Sequence, residues 1–424
     1  MIQIIQADGR AEQARIAAMR ARAAEVGADI EEAVSAVMGA VKEKGLSAVE
    51  AYSLKFDGKI PYEIPREELE AAYDRCPDEL IAAMERAAAN IRDYNEKLLV
   101  QSMEWTSPDG GTVGRVVRGL TRVGLYVPGG TAAYPSSVLM NAVPAKVAGV
   151  EELIMVTPPT ENLNDAVLAA AKIAGVDRVI AVGGAQAIAA LTFGAGFIPK
   201  VDKLVGPGNA FVATAKRLAY GKVDIDMVAG PSEVLVIADE TANPVYVAAD
   251  LLSQAEHDRL ASAVLLTTSM ELARAVDAEI VRQAGYLSRL DIMEASLRDF
   301  GCAIVCDSLE QAISLANEIA PEHLEIVTED PRAVLPEIRN AGAVFLGEWS
   351  PEPLGDYLAG PNHVLPTSGT ARFFSPLSVD SFLKTMSIVA YSRDTLAPIR
   401  EQVVAMAEAE HLTAHANSIR VRFE

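Results

Sequence analysis

The chain has 424 residues, of which 50% are hydrophobic and 22% charged, so it can form about two to four globular domains. The net charge of -21 argues against nucleic acid as a partner, because phosphates demand a basic surface. No apolar run reaches the roughly 18 residues of a membrane helix, and the amino terminus lacks the pattern of a signal peptide. We therefore expect no membrane association.

The cysteine content indicates the compartment. Cys76, Cys302 and Cys306 are too few, and odd in number, for a disulfide framework, so we expect a cytoplasmic protein. Cys302 and Cys306 lie in an apolar run that predicts a strand. They are either a redox pair or nucleophile, or two buried small hydrophobic residues. We favour burial, because free cysteine is among the most buried residue types.

The first part of the chain predicts helices with apolar positions three or four apart. These helices cover residues 10–25, 28–44 and 79–98. Residues 105–118 are polar and glycine-rich, which predicts a hairpin.

From residue 123 to 232, short apolar runs alternate with alanine-rich helical segments, which is typical of βαβ units and a parallel sheet. The predicted strands and helices are 152–156, 164–174, 178–182, 185–193, 203–205 and 209–220.

A second α/β region follows, with a strand at 233–238 and a helix that begins at Asn243-Pro244 and is predicted to run through His257. Further strands are predicted at 263–267, 303–306, 324–328 and 343–346. Residues 347–375 read as a long, glycine- and proline-rich loop, and such loops are usually functional. The tail predicts a helix near 394–410 and a short strand at 418–422.

Four glycine-rich turns follow apolar runs, and two of them lead directly into helices. They lie at 126–130, 183–186, 206–209 and 230–232. Free N–H groups at a helix N-terminus bind anions, and ligands of a doubly wound sheet sit at the carboxyl ends of its strands. The turns are either simple βα connections or parts of a nucleotide pocket, although none has the G-x-G-x-x-G form.

All five histidines lie at or beyond position 257, and four of them stand beside a carboxylate or an amide. Imidazole is the commonest protein metal ligand and titrates near neutrality. Gln254 and His257 are three apart, so a helix would place both on one face, as metal ligands or as an ordinary surface pair. Glu322 and His323 are adjacent, so an extended segment would present two bases to different parts of a substrate. Asp356 could add a carboxylate ligand.

Two further histidines are four apart in the tail. If the helix ran on, His411 and His415 would share a face, but the predicted strand indicates that only one is a ligand.

In combination, these motifs resemble the histidinol dehydrogenase family in order and length over the whole chain. The matching segments are GLYVPGG (124–130), GGAQAI (183–188), GPGN (206–209), GPSEV (230–234), LLSQAEHD (251–258), APEHLE (320–325), GDY (355–357), GPNHVLPT (360–367) and LTAH (412–415). One position departs from the family pattern, because His411 stands where a glycine is expected. The resemblance gives His411 no role, and we favour a surface residue.

The resemblance implies an NAD-dependent, four-electron oxidation of L-histidinol through L-histidinal to L-histidine, the final steps of histidine biosynthesis, with one zinc ion. Carried over to this chain, the implied roles fall into four groups. The zinc ligands would be Gln254, His257, Asp356 and His415, and the acid/base residues would be Glu322 and His323. Ser232 and Glu410 would contact the substrate, as would the zinc ligands and His323, with His363 nearby. The NAD contacts would be Tyr126, Gln186 and Asn209.

The resemblance also implies an α/β fold with two incomplete Rossmann-like domains and an intertwined homodimer in which each tail completes the partner's site. The implied domains are an N-terminal helical extension (1–22), a first Rossmann-like domain (23–125 with 233–376), a second (126–232) and a tail (377–424).

Three rival functions share the same residues. A dehydrogenase of another small alcohol would keep the fold and change the substrate. A zinc hydrolase would use Glu322 to activate a metal-bound water, would need no NAD and would leave the glycine turns without a purpose. A non-catalytic metal-binding protein would lose no activity on replacement of His323.

Overall fold

The computed structural model describes residues 1–21, 28–129, 134–160, 163–228 and 230–424. Its strands are β1 (Gln3–Gln6), β2 (Tyr62–Ile64), β3 (Met103–Thr106), β4 (Thr112–Gly119), β5 (Arg122–Tyr126), β6 (Glu152–Thr157), β7 (Arg178–Ala181), β8 (Lys203–Val205), β9 (Asp224–Ile225), β10 (Glu233–Ala238), β11 (Ser262–Thr267), β12 (Cys302–Val305), β13 (His323–Val327), β14 (Ala343–Leu346) and β15 (Leu383–Ala390).

Helices cover the sheets and form the tail. They are α1 (Ala11–Ala21), α2 (Ala28–Lys44), α3 (Leu46–Asp57), α4 (Arg66–Arg75), α5 (Asp78–Leu98), α6 (Pro135–Val147), α7 (Asp165–Ala174), α8 (Gly184–Phe193), α9 (Ala210–Ala219), α10 (Pro244–Ala255), α11 (Met270–Ala284), α12 (Leu290–Phe300), α13 (Leu309–Ile319), α14 (Pro331–Val334), α15 (Glu352–Tyr357), α16 (Arg393–Leu396), α17 (Arg400–Ala409) and α18 (Thr413–Arg420). Short 3-10 helices cover Leu335–Glu337, Thr370–Arg372, Val379–Phe382 and Ala397–Ile399.

Two six-stranded sheets confirm the predicted α/β fold class with parallel sheets. The β10 sheet, as we call the first, has the order β1-β12-β11-β10-β13-β14, and all its neighbouring strands are parallel. The turn sheet, which carries the glycine turns that begin at 126, 183 and 206, has the order β2-β7-β6-β5-β8-β9, with only β2 antiparallel. A third, antiparallel sheet joins β15, β4 and β3, as the hairpin predicted at 105–118 requires.

Each parallel sheet is buried on both faces. In β10, Val234 and Val236 pack with α10, α11 and α12, while Leu235 and Ile237 pack with α1 and α13. The turn sheet is enclosed in the same way, by α4–α7 on one face and by α2, α3, α8 and α9 on the other. This double burial is the reason that the strands are continuous apolar runs rather than alternating ones.

The expected domain boundaries differ from the sheet membership at three places. β1 pairs with β12 rather than forming a separate extension. Residues 28–98 pack on the turn sheet, where β2 pairs with β7, and not on the β10 sheet with 233–376. β15, at the start of the expected tail, pairs with β4. In each case an isolated strand finds its backbone hydrogen bonds in a sheet distant in sequence.

Among the described residues, no helix combines the length and the apolar character that crossing a membrane requires. The expected helix at 10–25 begins as α1, and its last residues, from 22 on, lie outside the described part of the chain.

Candidate functional site

The two bases predicted at 322 and 323 lie at the amino end of β13, between β10 and β14. Helix α13 ends at Ile319. The next residue, Ala320, is fully buried with a left-handed backbone (φ 53°), and Pro321 then leads the chain into the strand. The side chains of Glu322 and His323 are both buried.

The backbone of Glu233 favours one tautomer of His323. His323 Nδ1 lies 3.0 Å from the Glu233 carbonyl oxygen, which can only accept a hydrogen bond, and 3.2 Å from Gln254 Nε2, which can only donate one. The shorter contact favours the tautomer with the proton on Nδ1, in which Nε2, buried and without a hydrogen-bond partner, keeps its lone pair. Burial lowers the pKa of His323 to about 4, so the ring is a neutral base at physiological pH.

The same backbone segment holds Glu322. The N–H of Glu233 donates to Glu322 Oε2 at 2.9 Å, and this oxygen lies 3.7 Å from His323 Nδ1. Burial raises the pKa of Glu322 well above its usual range. A carboxyl group with a raised pKa is suited to exchanging protons near neutrality.

Nitrogen and oxygen donors converge beside His323. His323, Glu352 and Asp356 offer ligand atoms within 4.8 Å of one another. Gln254 lies in the last turn of α10, 1% exposed, and its Oε1 is buried without a partner. A cation would satisfy this orphaned oxygen, so the residues present fit a metal ion with nitrogen and oxygen ligands.

One cavity of about 310 Å³ unites most of the predicted residues. Its lining includes Ser232, Gln254, His257, Glu322, His323, Asp356 and His363. His257 itself is exposed and follows the end of α10 at Ala255, so the helix expected to run through residue 257 ends two residues early.

The cavity lies between the amino edge of the β10 sheet and the carboxyl edge of the turn sheet. Glu322 and Ser232 precede β13 and β10, whereas Gly206–Gly208 follow β8. The glycine turns that begin at 126, 183 and 206 therefore lie at carboxyl ends of strands, the usual place for ligands, whereas the turn at 230–232 lies at the amino end of β10.

Two predicted residues differ in local structure from the sequence expectation. Asp356 lies on the short helix α15, inside the segment expected to be loop. His363 is held through both ring nitrogens: Nδ1 donates to the Asp356 carbonyl oxygen at 3.2 Å, and Nε2 lies 3.3 Å from Ser137 Oγ. His363 thus braces the backbone of Asp356 against α6.

The three predicted NAD residues lie at the carboxyl edge of the turn sheet. The Tyr126 hydroxyl accepts from the N–H of Gly184 at 3.2 Å. Gln186, on α8, donates to Asp57 Oδ2 at 3.3 Å. Asn209 caps α9 by accepting from the N–H groups of residues 211 and 212. β5 and β8 are neighbours at the point where the strand order reverses, the usual place for a ligand crevice. Gly130, in the first turn, lies outside the described residues.

The tail residues Glu410 and His415 are exposed and are absent from the described lining of the cavity. The strand predicted at 418–422 is wrong, because α18 occupies Thr413–Arg420. Ala416 and Ile419, three apart, pack against Val404 and Ala407 of α17 and form a small separate core. His411 links the two helices, with φ of 59°.

Sequence reasoning missed several buried acids around the site. Glu352 Oε1 lies 3.7 Å from His323 Nε2, and burial raises the pKa of Glu352 to about 9. Glu325 Oε1 accepts from the N–H of Glu352 at 2.8 Å, and the pKa of Asp250 is raised by burial to about 6. These residues belong to no local motif and meet only through the fold, so no sequence signal could have identified them.

The cysteines take no visible part. Cys302 and Cys306 are buried, as favoured, and burial raises the pKa of both thiols to about 11. A thiol that resists ionisation is a poor nucleophile.

Comparisons with known proteins agree with this geometry. Residues 20–423 match the family model described as histidinol dehydrogenase. The chain is 54% identical to a histidinol dehydrogenase of Clostridium acetobutylicum, covering 100% of this chain and 99% of that protein. It is 55% identical to one of Caldanaerobacter subterraneus subsp. tengcongensis, covering 93% of each. The crystal structure of histidinol dehydrogenase from Elizabethkingia anophelis superimposes with a TM-score of 0.94 at 38% identity, covering 100% of this chain and 98% of that one.

Proposed function

Since the chain belongs to the histidinol dehydrogenase family, we propose that it oxidises L-histidinol through L-histidinal to L-histidine, with NAD as oxidant and zinc as cofactor. One observation carries the proposal: a buried histidine with a free Nε2 lies beside a carboxyl of raised pKa in a cavity between the two sheets.

The first half-reaction needs a base at the hydroxyl. Hydride leaves an alcohol carbon only as the hydroxyl proton is removed, and His323 Nε2 has a lone pair for that proton. The Glu233 carbonyl oxygen keeps the other ring nitrogen protonated, and it stabilises the imidazolium that forms. Bound NAD would accept the hydride and give one NADH and one aldehyde.

The second half-reaction needs a water. The aldehyde must be hydrated before another hydride can pass to a second NAD, and Glu322 would take the proton of the attacking water. The raised pKa of Glu322 makes its carboxylate a stronger base than an exposed one. This route requires no cysteine adduct, in agreement with the burial of Cys302 and Cys306 and the raised pKa of their thiols.

Gln254, His257 and Asp356 would hold zinc, together with His415 of the tail. The metal would fix the amine and imidazole nitrogens of the substrate, so its contribution is orientation. Ser232 and His363 line the same cavity and would contact the substrate there. Tyr126, Gln186 and Asn209 would hold NAD.

The exposed position of Glu410 and His415 supports a homodimer with shared sites. Each tail would reach the cavity of the second subunit, where Glu410 would contact substrate and His415 would complete the metal ligands. The tail helices α17 and α18 have their own small core, so they could keep their fold while they contact the second subunit.

The test is the stoichiometry of NAD reduction. We expect two NAD reduced per L-histidinol consumed, and loss of activity on chelation that returns with zinc. His257→Ala should lose zinc and activity together, whereas the exposed His411→Ala should keep both. Unchanged metal content in His257→Ala would refute that ligand assignment. Turnover of another small alcohol, with none of L-histidinol, would refute the substrate.

A further inference from the structure

A buried ion pair holds the glycine turn that follows β8. Lys216 of α9 pairs with Asp226, which follows β9, and the two side chains are 5% and 2% exposed. Lys216 Nζ donates to the carbonyl oxygen of Gly206 at 2.9 Å. The N–H of Gly206 donates to Asp226 Oδ2 at 2.8 Å. The ion pair therefore forms hydrogen bonds with both the N–H and the carbonyl group of Gly206.

Position 206 leaves no room for a side chain. Its φ is 106°, and a Cβ atom there would lie 2.1 Å from the carbonyl oxygen of Tyr126. The turn thus passes directly against the end of β5, in a backbone conformation that favours glycine. External groups must fix such a flexible residue, and the ion pair supplies them.

The pair also belongs to the wall of the cavity. Gly206, Gly208, Lys216 and Asp226 line the same space as His323. Burying two charges costs desolvation energy that an apolar pair would not incur. A charged pair at this place is therefore better explained by the two backbone contacts than by stability.

We propose that Lys216 and Asp226 are positioning residues for NAD: they hold Gly206 to Asn209 so that the turn can receive the dinucleotide. The inference rests on the proposed function. It assigns the pair no contact with the reacting atoms, because both side chains act through the backbone of Gly206.

The test compares two double variants, each of which removes one ion pair near β9. Lys216→Met with Asp226→Asn removes both buried charges and the donor to the Gly206 carbonyl, while Asn keeps an acceptor for its N–H. The control, Lys203→Met with Asp224→Asn, removes the ion pair that joins the start of β8 to β9 at 2.9 Å. Each variant loses one ion pair: the first loses the pair between α9 and the residue after β9, and the control loses the pair between β8 and β9. Only the first also loses hydrogen bonding to the backbone of Gly206.

The readouts are NADH binding by fluorescence titration, zinc content, melting temperature and the two KM values. For the Lys216/Asp226 double variant we expect NADH binding weaker and KM for NAD higher by at least about tenfold, a loss that one or two hydrogen bonds can account for. Zinc content and KM for L-histidinol should stay within about twofold of the parent. The control should match the parent in all four measurements.

The single variants separate positioning from folding. Lys216→Met alone leaves Asp226 buried without its partner, so it should melt lower than the double variant. If the double variant regains the melting temperature and still binds NADH weakly, the loss belongs to the turn. Lys216→Arg, which keeps the charge and a donor, should recover part of the binding.

Three results would overturn the inference: parent-like NADH binding in the double variant, an equal loss in the Lys203/Asp224 control, or equal weakening of NADH and L-histidinol. Because titration needs no turnover, a parent that binds NADH but does not oxidise L-histidinol would refute the proposed function and leave this inference standing. A parent that binds no NADH would refute both.

Discussion

At the scale of single residues, the backbone of Glu233 decides the chemistry of its neighbours. Its carbonyl oxygen lies within hydrogen-bond distance of His323 Nδ1, and its N–H donates to Glu322 Oε2. The two adjacent side chains are therefore held differently, because one residue presents an acceptor to His323 and a donor to Glu322. Neither contact requires a particular side chain at position 233.

The roles proposed for Glu322 and His323 predict that Glu322→Gln affects the two half-reactions unequally. The variant keeps an oxygen for the N–H of Glu233 and loses the base that would activate water. We expect histidinal oxidation to fall by about 100-fold or more, and alcohol oxidation to fall less. Single-turnover measurements with each substrate would check this. Glu337→Gln, an exposed change, is the control, and equal losses in both half-reactions would contradict the assignment.

At the scale of elements, the link between α17 and α18 carries an unfavourable residue. His411 has the left-handed backbone that glycine adopts freely, directly after a helix end. We expect His411→Val to lower the free energy of unfolding by about 1 kcal/mol, and His411→Gly not to lower it. Chemical denaturation of both variants measures the difference. A His411→Val protein as stable as the parent would show that the backbone there is not strained.

Asp250 of α10, which interacts with Glu325 of β13, predicts that the stability of the protein depends on pH. Burial raises the pKa of Asp250 to about 6, above its value of about 3.9 in an unfolded chain. The folded state therefore binds this proton more tightly, and the stability this contributes is lost as the pH rises from about 4 through about 6.

Asp250→Asn cannot lose that proton. Relative to the parent, the variant should gain about 1 kcal/mol in free energy of unfolding between about pH 5 and pH 8. Asp93→Asn, an exposed carboxylate paired with Lys97, should show no such change. Denaturation at both pH values checks the sign, and a relative loss by Asp250→Asn on raising the pH would contradict it.

The elements also show what sequence can and cannot predict. Periodicity located α2 and α5, and apolar runs located β10 and β11, because these elements bury their own faces. The run at 418–422 alternates like a strand, yet no partner strand exists for it in the described chain, and Ile419 packs better in a helix. Glu352 escaped notice because its relation to His323 arises only when β13 and α15 meet.

At the scale of the whole molecule, the proposed shared site predicts complementation. A chain ending at Tyr391 keeps β15 in its sheet with β4 and loses α16–α18, including Glu410 and His415. Alone it should be inactive. Mixed with full-length His323→Ala, it should recover activity, because one cavity of a mixed dimer then has both an intact base and a tail.

The controls are each protein alone and a mixture in which the His323→Ala chain also carries His415→Ala. Activity in the mixture but not in this last control would assign the recovery to the tail. Full activity of the truncated chain by itself would contradict a shared site.

His323 and the turn at Gly206 lie on different parallel sheets, and each sheet has its own two hydrophobic clusters, one on each face. We expect replacements that reshape the edge of one sheet to leave the clusters of the other undisturbed. Under the proposed function, such an arrangement would allow the choice of alcohol to drift over evolutionary time while the handling of the nucleotide is inherited intact.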